Sequence, residues 1–162
     1  MKRIPKVIFF ILPALLNVLP PVLPQDYKIL KTVYSTVHYS DDGMLRDFMW
    51  RVGGLRLAEC ADTALAESRI DRIVERVERV LDMYPKDFHV DIYLYSGYEE
   101  GEIAFYSEDT ASITVYVDRV TDGVLAHEIS HAVMYEYFEV PPPRKVQEIL
   151  ARYADLHLWQ DY

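Results

Sequence analysis

From Lys28 to Tyr39 the chain reads KILKTVYSTVHY, a rough alternation of apolar and polar residues rich in β-branched and aromatic side chains. This predicts a strand, ended by Ser40-Asp41-Asp42-Gly43. A short helix is expected from about Leu45 to Val52, broken by Gly53-Gly54. In DTALAESRIDRIVERVERVLDMYP the apolar residues Leu65, Ile70, Ile73, Val74, Val77, Val80 and Leu81 recur at helical spacing with Arg and Glu between them. That is the pattern of a long amphipathic helix, stopped before Pro85, whose charges form a solvated face laced with i,i+4 pairs.

In DFHVDIYLYS, Phe88, Val90, Ile92 and Leu94 alternate with polar or half-polar residues, as in a half-buried strand. ASITVYVDRV repeats the alternation with Ile113, Val115 and Val117. The intervening GYEEGEIAFYSEDT reads as a hairpin or loop with extra acid. Two helices close the chain, around Val124 to Phe138 and Lys145 to Trp159, separated by Pro141-Pro142-Pro143. The order strand, helices, strands, helix, helix predicts an α+β fold with a mixed sheet packed on a helical layer.

The first residues differ from this pattern. Lys2, Arg3 and Lys6 precede an apolar run from Val7 to Leu19, interrupted by Pro13 and Asn17 and short for a spanning helix of about 20 apolar residues. Residues 1–25 are therefore expected to be a signal peptide or an N-terminal membrane anchor, and residues 26–162 a single domain that is exported, periplasmic or secreted. Membrane contact would come through the N-terminal segment alone, if it is retained.

Charge and cysteine content narrow the partners. A formal charge of −9, deepening to −12 without the three basic leader residues, and scattered Lys and Arg argue against nucleic acid. A single cysteine, Cys60, rules out an internal disulfide and a cysteine-based metal cluster, so stability must come from the core.

The chemistry concentrates in VLAHEISHA, residues 124–132. On a helix His127 and His131 project from one face within reach of one ion, and Glu128 stands one position round. Thr121-Asp122-Gly123 supplies an N-cap that starts a helix at the right place. Zinc accepts both imidazoles and keeps an open position for water in catalytic sites, and Glu128 can take the proton from that water. Histidines on a helix can equally be partly buried aromatics. A third protein ligand is needed for tight binding, and Glu148 is the better choice, on the next helix after a turn enforced by the prolines. Ala151 keeps the neighbouring face small. Taken alone, Glu148 would be an ordinary carboxylate in a first helical turn.

LAHEISHAVMYEYFEVPPPRKVQEILARYAD resembles the active-site half of gluzincin metallopeptidases, the thermolysin-like group, and most of all their small peptidase-MA-like members. The strands TVYSTVHYSDDG and VDIYLYSGYEE resemble that family's N-terminal half. The resemblance implies His127, His131 and Glu148 as Zn2+ ligands and Glu128 as general base. The family often has glycine straight after the ligand glutamate, where this chain has Ile149. It also implies that Ser112 to Val117 is the sheet edge along which an extended peptide lies; a paired interior strand is the other reading.

Asp155, two turns beyond Glu148, could orient a ligating imidazole or be a surface aspartate. Tyr153 or His157 could donate to a developing oxyanion or be buried core aromatics. The function expected is a zinc-dependent peptidase acting on a peptide or protein substrate. The alternative is a catalytically idle, zinc-stabilised binding domain of the cell envelope with a protein partner.

Overall fold

A computed structural model describes residues 27–54, 63–97 and 101–160. The leader expected at residues 1–25 and the start of the exported domain lie outside the described residues.

Among the described residues, five strands and four helices follow in order: β1 (Lys28–Lys31), β2 (Ser35–Tyr39), α1 (Asp42–Gly53), α2 (Thr63–Leu81), β3 (Val90–Tyr95), β4 (Ala104–Ser107), β5 (Ser112–Tyr116), α3 (Asp122–Tyr137) and α4 (Arg144–His157). The mixed sheet has the order β1-β2-β3-β5-β4. β2, β3 and β5 run parallel, and β1 and β4 lie antiparallel at the two edges.

The single strand expected over Lys28 to Tyr39 is two strands, because Thr32 reverses the chain: its hydroxyl accepts from the amides of Tyr34 and Ser35. The Asp71 carboxylate accepts from Val33 and Tyr34 and fastens this turn to α2. Sequence placed a hairpin or loop where β4 lies. β4 has four residues, only Ala104 buried, too short and too mixed to show an alternation of its own.

α1 begins where Asp41 caps the Met44 amide, and it ends at Gly54, whose φ of 83° suits glycine. α2 stops at Leu81 by a left-handed turn: Asp82 has φ 52° and the Met83 amide returns to the Glu78 carbonyl. Its inward face is Ala66, Ile70, Ile73, Val74 and Val77, while Leu65 is exposed.

The inward residues Val37, Ile92, Ile113 and Val115 are fully buried and share one apolar cluster with Ile70, Ile73, Leu125 and Ile129 from the helices. Each such side chain stabilises by about 1.5–3 kcal/mol relative to exposure. On the other face His38 stacks on Tyr93 with centroids 4.4 Å apart and pairs with Asp91 at 2.7 Å.

α3 and α4 form the layer that carries His127, Glu128, His131 and Glu148. Ala126 and Ala132 on α3 and Ala151 and Ala154 on α4 are buried. At the end of this pair Arg69 from α2 donates to the Val52 carbonyl and to Asp122, and it lies 4.1 Å from the Trp159 ring centroid. Trp159 in turn donates to Asp122 at 2.7 Å, so four helices are tied at the start of α3. No described helix is long and apolar enough to cross a membrane.

Candidate metal centre

α3 starts as the sequence predicts: Thr121 accepts from the Val124 amide, and Asp122 follows in the first turn. One turn later His127 and His131 project from one face of the helix. α4 begins at Arg144, just after Pro143 at its N-cap, and carries Glu148 in its second turn. The three donor groups meet. His127 Nε2 and His131 Nε2 are 3.4 Å apart, His127 Nε2 and Glu148 Oε2 3.3 Å, and His131 Nε2 and Glu148 Oε1 3.7 Å.

This spacing tests whether an ion fits. Donors held at about 2.0–2.1 Å in a tetrahedron are separated by roughly 3.3 Å along its edges. The separations of 3.4 and 3.3 Å match that edge, the third, 3.7 Å to the other carboxylate oxygen, is somewhat longer, and the set is two imidazole nitrogens and one carboxylate group. His127, His131 and Glu148 can hold a metal ion, with every chosen ligand atom within 4.8 Å of the others. Two histidines and a glutamate suit zinc.

The centre opens on a cleft of about 370 Å3 that Ala104, Tyr106, Glu102 and Arg144 also border. Glu128 faces it from α3, its Oε2 accepting the Tyr106 main-chain amide at 2.9 Å. Burial pushes its carboxyl up to about 7, against the lowering effect of that hydrogen bond. A carboxyl in this range can hold or release a proton near neutral pH. Burial also lowers the pKa of His131, which favours its neutral form.

The sheet edge beside this helix is β4. The strand Ser112 to Val117, implied to be the edge, is interior: β5 pairs with β3 on one side and β4 on the other. The reason is the hairpin through Thr110 and Ala111, which folds β4 outside β5. The Tyr116 amide bonds to the Ile103 carbonyl, so alternate residues Ala104 and Tyr106 turn their main-chain groups away from β5. The amide of Tyr106 does so toward Glu128.

The other residues singled out by sequence lie nearby to different degrees. Asp155 borders the cleft and packs over the backbone of Gly123, but among the described residues it bonds to neither imidazole. Tyr153 and His157 lie against each other, centroids 4.2 Å apart, and neither borders the cleft. Tyr153 is 43% exposed rather than a core aromatic. Ile149, 61% exposed, points away from the packed face and leaves Glu148 free to turn inward.

Gln147 was not among the residues the sequence suggested. It is buried, bonds His131 Nδ1 at 3.2 Å and donates to the Pro142 carbonyl at 2.8 Å. Its one legible signal was its place beside Glu148, on the turn of α4 that must face α3. In comparisons with known proteins no family model matches the chain, and neither a curated protein nor a solved structure does.

Proposed function

We propose that this protein is a zinc-dependent peptidase that hydrolyses peptide bonds of an extended substrate laid along β4. The observation that carries the reading is the meeting of His127, His131 and Glu148 within reach of one ion, beside a carboxylate that is not one of the three. A purely structural metal site has no use for Glu128.

Zinc bound by these three residues would supply a Lewis acid that polarises the scissile carbonyl and acidifies a water. Glu128 takes the proton of the attacking water at its carboxylate and passes it to the leaving amine as the C–N bond breaks. The outward main-chain groups of Ala104 and Tyr106 hold the substrate backbone by strand addition. To do so, a substrate carbonyl replaces Glu128 on the Tyr106 amide, which frees the carboxylate for the water. The leader-like residues 1–25 support an exported site of action.

The test is cleavage of a mixed peptide library by the zinc-loaded chain, followed by mass spectrometry. Glu128→Gln is expected to retain zinc and lose cleavage. Full cleavage by that variant would sink the assignment. A chain that binds zinc and cuts nothing would leave the idle, zinc-stabilised binding domain as the better reading.

A further inference from the structure

The amide of Gln147 has two ends, and the structure assigns each. The Pro142 carbonyl can only accept a hydrogen bond, so the NH2 group of Gln147, at 2.8 Å, must be the end that faces it. The carbonyl oxygen is then turned to His131 Nδ1 at 3.2 Å, and it too can only accept. The proton of a neutral His131 is thereby placed on Nδ1, and the lone pair on Nε2, the atom that faces His127 and Glu148.

We propose that Gln147 is a positioning residue: through one buried amide it presets His131 as an Nε2 donor and ties the proline turn before α4 to α3. The inference rests on the metal-binding reading above, but its first half concerns the metal-free chain. The residue next to Glu148 thus brings Glu148's helix into register and fixes the partner ligand. Among the described residues His127 Nδ1 has no such bond, so the two imidazoles are held unequally. A carboxylate at 147 could accept from His131 but could not donate to Pro142, which is why an amide serves both contacts.

The test uses the full chain, metal-free and then with zinc alone. A long-range 1H–15N correlation spectrum at pH 8 should place the His131 proton on Nδ1 in the wild type. Gln147→Leu should shift it toward Nε2 and weaken zinc binding about 10–100-fold. Gln147→Glu should keep the Nδ1 proton and recover part of the affinity lost in Gln147→Leu, the rest going with the Pro142 contact; a purely structural role would give no such rescue. If Gln147→Leu does not fold, the wild-type and Gln147→Glu spectra decide, since both must carry the Nδ1 proton.

A wild-type Nε2 proton, or a Gln147→Leu chain with unaltered tautomer and zinc affinity, would overturn the assignment. A wild type with the Nδ1 proton that binds no zinc would instead overturn the peptidase reading and leave the preset imidazole standing.

Discussion

His127 Nε2 lies 3.3 Å from Glu148 Oε2 although the two residues stand on different helices with a proline turn between them. The carboxylate spans both imidazoles, one oxygen to each, and Arg144 reaches it from outside at 3.4 Å. Arg144 is 78% exposed, so that ion pair contributes little. What holds Glu148 here is the packing of α4 on α3. Glu148→Ala should therefore leave the fold intact and weaken zinc binding by more than the roughly 10–100-fold that loss of an outer partner costs. Native mass spectrometry of both chains under zinc competition reads it directly; equal zinc retention would remove Glu148 from the ligand set.

Gly123 controls the other end of the same helix pair. A Cβ at this position would collide with the Asp155 carboxylate, which packs over the first turn of α3. Gly123→Ala should force α4 away from α3 at a cost of about 1–3 kcal/mol. Zinc affinity should fall with it, because the shift separates Glu148 from the histidines. Gly123→Ala combined with Asp155→Ala should recover both. Thermal melts and zinc titrations of the three variants check the coupling, and a single variant with unchanged melting would show that the contact yields freely.

The parts of this arrangement that were legible in the sequence are those fixed locally. The spacing of His127 and His131 and the Thr121 cap depend on one helix, and the amphipathic period of α2 runs long enough to read. Glu148 and the prolines before it could be inferred because a metal needs a third donor. The position of β4 was not legible, since pairing order is decided between segments, and a four-residue strand flanked by glutamates carries no period of its own. Gln147 escaped because its partners, His131 and the Pro142 carbonyl, are joined only by the fold.

Glu78 gives a stability test away from the site. It is 8% exposed on the inward side of α2, and burial, with Glu75 nearby, raises its carboxyl above the ordinary carboxylate range. The folded state therefore holds this proton more tightly than the unfolded chain. Stability falls as pH rises from the unfolded pKa through the folded one, and the full cost persists above it. Glu78→Gln should stabilise at pH 8 by about 0.5 kcal/mol, roughly 1–2 °C in Tm, and by nothing at pH 3. A gain equal at both pH values would point to packing instead of charge.

The cleft itself is charged, and this bears on the substrate. Its lining includes five carboxylates, Glu102, Glu108, Glu128, Glu148 and Asp155, against one guanidinium, Arg144. Three of the five, Glu102, Glu108 and Asp155, remain after the proposed ligand and base are set aside, and one side of the charge balance dominates even with a divalent ion in place. Glu102 lies just before β4 and close enough to raise the Glu128 carboxyl, so its field reaches the proposed base. A substrate residue carrying Lys beside the scissile bond should then be cut about fivefold better than one carrying Glu, the size of a single solvent-exposed pair. The preference should shrink in high salt, since these groups are open to water. Glu102→Lys should narrow or reverse the Lys-to-Glu ratio when kcat/KM is compared on matched peptides within each variant. If the ratio in the wild type is one, the carboxylates of the cleft act only on the ion and the base, and substrate choice lies in apolar contacts along β4.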